Sequence, residues 1–174
     1  MLIQRGRRDL PRLVHESITT IGNFDGVHLG HQQLLSSVTC MAKQRGMQSA
    51  VVLFEPHPNE FFLSEPPARL MSFREKVDVL KTFGIDQVLV LRFSADLAAM
   101  AAQEFIEAYL VQALNTQHLV IGDDFRFGYK RTGDFTLLKQ DSRFSCDASE
   151  TVLLNGERVS STSVRLALAN AQFD

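Results

Sequence analysis

Short apolar runs alternate along this chain with longer stretches whose apolar positions recur every three or four residues. Ile18–Gly22 (ITTIG) reads as a strand ending in a glycine turn, and Ala50–Phe54 (AVVLF), Gln87–Leu91 (QVLVL) and His118–Ile121 (HLVI) read as further strands of the buried kind. Gly30–Arg45 predicts a helix, with Leu34, Leu35, Val38 and Met41 near a 3.6-residue period and Gly46 as its stop. Arg74–Phe83 predicts a second, with Val77 and Leu80 on one face and Gly84 behind it. Ala102–Leu114 predicts a third, striped by Phe105, Ile106, Tyr109 and Leu110. Asp134–Lys139 reads as a short helix, Thr151–Leu154 as a late strand and Ser161–Asn170 as a final helix. Strands separated by helices predict an α/β, Rossmann-like, doubly wound and mostly parallel sheet, its crossovers right-handed. In such sheets ligands bind outside the carboxyl ends of the strands. Glu55–Pro67 holds four of the five prolines and no regular pattern, so it reads as an ordered loop or flap.

Composition narrows the class. The 174 residues fit one domain with a substantial core. With 45% hydrophobic residues and a net charge of -2, neither disorder nor a general nucleic-acid binder is expected. No apolar run approaches the roughly 18 residues of a spanning helix, and no apolar stretch follows the basic start MLIQRGRRDL. A soluble cytoplasmic protein with no membrane partner is the expectation. Cys40 and Cys146 have no metal-type spacing and are expected to be free buried thiols.

The strongest chemical signal is Thr20-Ile21-Gly22-Asn23-Phe24-Asp25-Gly26-Val27-His28-Leu29-Gly30-His31, a strand running through a glycine-rich turn into a helix. His28 and His31, three apart at a helix start, share a face, and Gly30 leaves space beside them. Two imidazoles and a helix N-terminus would converge on one anion, as a phosphoryl or nucleotidyl group requires. Zinc is a rival for a His-x-x-His pair, but no local Cys, Asp or Glu set completes a site, so no metal ligands are assigned. The segment is neither a Walker A loop nor a Gly-x-Gly-x-x-Gly fingerprint. The second signal is Ser160-Ser161-Thr162-Ser163-Val164-Arg165, whose hydroxyls cap a helix and whose Arg165 shares a face with Ser161. Alone it reads as an N-cap with a surface charge; beside the histidine motif it reads as a second phosphate clamp.

TIGNFDGVHLGH, FEPHP, LRF, QEFIEAYL, GDDFRFG and VSSTSVR, in this order, resemble the FMN adenylyltransferase module of bacterial FAD synthetases, bifunctional riboflavin-biosynthesis enzymes that also carry a riboflavin kinase module. The His-x-Gly-His and Ser-Ser-Thr segments are shared with the wider nucleotidyltransferase superfamily, whereas GNFDGVHLGH with FEPHP and DDFRFG is particular to the flavin branch. The resemblance spans nearly the whole chain, residues 1–174. It implies a nucleotidyltransferase-type fold and transfer of AMP from ATP to FMN, giving FAD and pyrophosphate, with Mg²⁺ accompanying ATP. It places His28 and His31 on the ATP phosphates with Asn23 nearby. It also implies Ser161, Thr162 and Arg165 on the β/γ-phosphates, and Gly22, Phe24 and Gly30 along the nucleotide. The FMN phosphate attacks the α-phosphorus in line, without a covalent enzyme intermediate.

For the flavin ring, Phe54, Pro56, Pro58, Phe61 and Phe62 could form an apolar wall, and Asp123, Asp124, Phe125, Arg126 and Phe127 a second loop. With 13 Phe and no Trp, many of these phenylalanines must also serve the core. His15, His57 and His118 lack a partner pattern and read as structural or exposed. The kinase module has no counterpart in this sequence, which is expected to lack kinase activity alone and to have that domain in cis in the intact protein. Three other readings stay open: a nucleotidyltransferase with another phosphate acceptor, a non-catalytic nucleotide- or flavin-binding module, and, least supported, a redox flavoprotein.

Overall fold

The computed structural model describes residues 1–6 and 15–171. The expectations concerning the basic start and the chain's end fall in part on residues 7–14 and 172–174, outside the described residues. Six strands form one sheet: β1 (Leu2–Gly6), β2 (Ser17–Ile21), β3 (Gln48–Glu55), β4 (Gln87–Arg92), β5 (Thr116–Gly122) and β6 (Ser145–Ser149). Their order is β1-β4-β3-β2-β5-β6 and every pairing is parallel. From β2 the chain steps outward through β3 and β4, then returns to the other side of β2 for β5 and β6. The order therefore reverses between β2 and β5, where the splayed strand ends of an open α/β sheet leave a crevice.

Two apolar layers flank the sheet, so its central strands bury both faces. In β3, Ala50 and Val52 face a cluster with Leu110 and Ile106, while Val51 and Leu53 face one with Leu35 and Val38. Alternation of this kind converts an unbroken aliphatic run into a strand covered twice. The helices are α1 (Leu29–Arg45), α2 (Pro58–Phe62), α3 (Phe73–Thr82), α4 (Ala95–Ala98), α5 (Ala102–Phe105), α6 (Phe135–Gln140) and α7 (Ser161–Ala169). A hairpin of β7 (Leu153–Leu154) and β8 (Glu157–Arg158) precedes α7. Its two-residue turn, Asn155-Gly156, has both φ values positive, 53° and 85°, as the right-handed twist of a tight hairpin favours.

Several expectations are corrected. β1 and β6 were not foreseen, because both are edge strands and LIQRG and SCDAS are too polar to show a buried run; in β6 only Cys146 is buried. The expected late strand Thr151–Leu154 contributes only two residues to the small hairpin. The predicted helix over 102–114 begins as α5 but continues through Ile106–Ala113 as a π-helix, ending on Leu114 N–H donating to the Tyr109 carbonyl. Its apolar stripe points inward under either winding. The Pro-rich segment contains α2, with Pro58 in the first turn where a missing N–H costs nothing. Both thiols are free, but Cys40 is exposed and only Cys146 is buried.

One buried carboxylate attaches α7 to the sheet. Asp25, in the loop between β2 and α1, is 3% exposed. It accepts from Leu70 N–H at 3.1 Å and Met71 N–H at 3.2 Å and pairs with the Arg165 guanidinium. Arg165 Nε also donates to the Ala68 carbonyl at 2.6 Å, and Ser161 Oγ to the Asp25 carbonyl at 2.9 Å. Removing one partner of a buried ion pair strands the other charge. Arg165→Ala should therefore lower folding stability by about 3 kcal/mol in urea titrations. Adding Asp25→Asn to that variant should restore part of the loss, since the stranded charge is then gone.

Candidate active site

A cleft of about 550 Å³ opens at the carboxyl ends of β2, β5 and β6, at the crossover point of the sheet. Gly22, Asn23 and Phe24 follow β2 into it, His28, Gly30 and His31 lie where α1 begins, and Ser161, Thr162 and Arg165 face it from α7. Two sequence segments 130 residues apart, from His31 to Ser161, thus line one cavity.

The histidine pair is built from its loop. His28 holds the cap position of α1 with extended backbone, φ −63° and ψ 171°, and makes no side-chain cap bond. Its ring stacks on that of His31, centroids 3.7 Å apart and planes inclined by 23°. Gly30 permits this, because a Cβ there would lie 3.3 Å from the His28 ring. Phe24 backs the pair, fully buried with its ring centroid 5.0 Å from that of His31. A Cβ on Gly22 would lie 2.9 Å from the Phe24 ring, closer than van der Waals contact allows. Phe24 and Val27 hold left-handed φ values of 49° and 36°, uncommon for such side chains, and their burial offsets the strain.

Burial sets the charge of these rings. It pushes the His31 imidazole down to about 3, assisted by His28 and Lys76 and opposed by Asp25. Burial, and next the Arg158 guanidinium, also lower His28. Both rings are neutral near pH 7. Nδ1 of His28, Nδ1 of His31 and Oδ1 of Asn23 are buried with no hydrogen-bond partner. Such orphaned atoms are rare, and three on one cavity mark a place that a ligand completes.

On α7 the cap is Ser160, whose Oγ accepts from Ser163 N–H at 3.1 Å while Ser163 Oγ accepts from Ser160 N–H at 2.9 Å. Ser163, to which sequence reasoning gave no role, thus closes a capping box. Ser161 is half-buried and Thr162 exposed, both on the cleft wall. Arg165 requires a correction, because it is not a free fork of donors. Its Nε and one Nη2 bond are spent on Ala68 and Asp25, leaving Nη1 for a ligand. Phe24 lines the cleft too, but its side chain is wholly buried behind His31.

The flavin-side residues divide. Asp123, Asp124 and Phe125 line the cleft, whereas Phe54, Pro56, Pro58, Phe61, Phe62, Arg126 and Phe127 do not. Phe127 is a core residue, 6% exposed and packed on Phe105 at 5.5 Å. Phe54 is half-buried against Phe93 and Phe105. Phe62 is 63% exposed and, with Phe61 and Phe93, forms an edge-to-face cluster on α2 and the end of β4. Asp123 is already engaged, accepting from Thr151 Oγ1 at 2.6 Å and Arg158 Nη2 at 2.8 Å. Arg158 also reaches Asp124, at 3.0 Å.

Sequence reasoning missed three residues here: Asp25, Arg158 and His57. Asp25 lay unremarked inside the strongest motif. Arg158 follows the Asn-Gly turn that announces a hairpin. His57 lines the cleft from the loop after β3, half-buried, rather than being merely structural or exposed. His118 is buried on β5, with Nδ1 2.6 Å from Ser145 Oγ, and His15 is exposed, as expected for both. Among the described residues no group of three or more His, Cys, Asp or Glu could hold a metal ion, and no helix is long and apolar enough to cross a membrane.

Comparison with known proteins agrees with this geometry. The family model described as FAD synthetase matches residues 11–163. A protein of Pseudomonas fluorescens named bifunctional riboflavin kinase/FMN adenylyltransferase is 46% identical over 178 residues, covering 100% of this chain and 57% of its own length. Its namesake in Escherichia coli K12 is 43% identical, covering 98% of this chain and 56% of its own. The chain thus spans little more than half the length of these relatives. A crystal structure from Streptococcus pneumoniae, titled as a macrolide-efflux protein, superposes with a TM-score of 0.84 at 25% identity, covering 96% of this chain and 56% of that one. With a parallel α/β sheet, a stacked histidine pair at its crossover point and a family match across most of its length, this chain belongs to the FAD synthetase family.

Proposed function

We propose that this chain is an FMN adenylyltransferase, transferring AMP from ATP to FMN and releasing pyrophosphate. The observation that carries the reading is the stacked pair of neutral imidazoles lining one cleft with Ser161, Thr162 and Arg165. No hydrogen bond to Nδ1 fixes the tautomer of either ring, and a neutral imidazole keeps one N–H to donate. The triphosphate then lies between the two imidazoles on one side and the α7 hydroxyls with Arg165 Nη1 on the other. An FMN phosphate oxygen forms a bond to the α-phosphorus as the bond to the β-phosphate oxygen breaks, and the electron pair leaves with pyrophosphate. The nucleophile is already an anion, so no general base is required. Acceleration comes from alignment and from donors aimed at the charge that grows on the leaving group.

Mg²⁺ enters this reading as the salt of ATP. The residues present do not form a resident metal site: Asp123 and Asp124 are occupied by Arg158, and no larger donor cluster exists among the described residues. The ion is held by phosphates and water, as this cation prefers. The flavin ring is assigned to the side of the cleft toward Phe125 and the cluster of exposed Phe61 and Phe62 with half-buried Phe93. The kinase activity in the relatives' names is assigned to the part of those proteins that this chain does not match. The reaction belongs to a soluble compartment, the cytoplasm.

The test of the function is incubation of the chain with Mg²⁺, ATP and FMN, scoring FAD by chromatography and pyrophosphate by a coupled assay. Stoichiometric FAD and pyrophosphate are expected; turnover of another phosphate acceptor with none of FMN would overturn the flavin assignment. His28→Ala and His31→Ala should each lower kcat about 10²-fold, the usual loss for one transition-state donor, as measured at saturating ATP and FMN.

Acid should destabilise the fold through His31. Its folded value of about 3 lies below the unfolded value near 6.5, so the neutral form is the one the fold favours. The stability this confers is complete above pH 6.5 and is lost as pH falls toward 3. In thermal melts between pH 7 and 4, wild type should therefore lose more stability than His31→Gln, whose side chain does not titrate.

A further inference from the structure

Resting on the reading above, we propose that His57 is a further substrate-binding residue, whose Nε2–H donates to the phosphate of the acceptor, the phosphomonoester that attacks ATP. Three observations carry this. His57 lines the same cleft as His28, His31 and Arg165, but from the end of β3, the strand next to β2 on the side away from β5. Its Nδ1 is committed, accepting from Asn59 N–H at 3.0 Å as the cap of α2. An acceptor at Nδ1 cannot carry the proton of a neutral ring, so the proton sits on Nε2. That nitrogen makes no hydrogen bond among the described residues.

The position selects which phosphate is met. The triphosphate is flanked by the α1 histidines and α7, whereas His57 leads directly into α2, which carries Phe61 and Phe62. A flavin whose ring lies toward those aromatic side chains presents its phosphate between them and the α-phosphorus. The charged groups facing His57 are Asp25, Lys76, Glu60 and Arg165, of mixed sign, and burial outweighs them in lowering its affinity for protons. The ring is therefore a neutral donor near pH 7. In the transfer it keeps its proton, while the phosphate oxygen forms the new bond to the α-phosphorus and the bond to pyrophosphate breaks.

Capping and ligand donation separate experimentally, because asparagine also caps helices well but cannot place a donor where Nε2 lies. His57→Asn should fold with an unchanged melting temperature. It should bind FMN at least tenfold more weakly by quenching of flavin fluorescence, the loss typical of one hydrogen bond to a charged group. Its affinity for riboflavin, which has no phosphate, should change less than twofold, and its KM for ATP should stay within twofold of wild type. Equal weakening toward FMN and riboflavin, or unchanged FMN affinity and kcat, would overturn the assignment and leave His57 a cap. Wild-type chain that turns over no FMN would sink the proposed function itself, a separate result from an active wild type with an unaltered variant.

Discussion

A carboxylate with almost no access to water, Asp25, determines whether the two halves of the cleft meet. It sits in the loop that delivers the histidines, accepts two backbone N–H groups from the 70–71 segment and pairs with Arg165 of α7. The helix it anchors buries no side chain fully, so apolar packing alone holds α7 weakly. Position therefore comes from polar contacts. Two run to the Asp25 residue itself, one to its side chain and one to its carbonyl, and a third runs to Ala68. Lys76, 5% exposed, adds positive charge near the same carboxylate. A buried ion pair is weak evidence for net stability, because desolvation opposes the attraction, but it specifies one arrangement strongly. Specifying an arrangement is what a site assembled from both ends of the chain requires.

The central architecture was legible in the sequence because its signals are redundant. AVVLF and QVLVL are apolar almost throughout and call for cover on both faces, and the helix from Gly30 to Arg45 carries a regular stripe and a glycine stop. Edge strands lack that redundancy: β1 and β6 bury one face or less, so SCDAS contains nothing a period can detect. The π-winding after Phe105 was equally invisible, since its buried residues Ile106, Tyr109, Leu110 and Ala113 keep the three-and-four spacing expected of an α-helix. The hairpin turn was written in Asn155-Gly156, yet the strands beside it are too short to register.

At the site, residue type was legible and engagement was not. His28, His31, Ser161 and Arg165 do converge, as a strand–turn–helix and a hydroxyl-rich cap suggested. That Arg165 arrives with its guanidinium already paired depends on an aspartate 140 positions away, a separation that no local pattern encodes. Phe24 illustrates the same limit, for an aromatic side chain in a glycine-rich loop can cover a ligand or support a histidine, and only burial separates the two. His57 failed the other way: without a neighbouring ligand pattern it looked inert, whereas folding places it on the wall.

Two of the three guanidiniums that line the cleft are paired before any substrate arrives. Arg165 is held by Asp25, and Arg158 by Asp123 and Asp124, while the histidines are neutral. A guanidinium already paired with a carboxylate offers a phosphate fewer donors and a weaker field than a free one. For the proposed transfer, whose leaving group is pyrophosphate, this matters, because a site with several free cations would hold that product as tightly as it holds the transition state. Neutral imidazole donors serve better, since their hydrogen bonds strengthen as negative charge develops on the oxygen they face and relax when that charge is spread over the departed product.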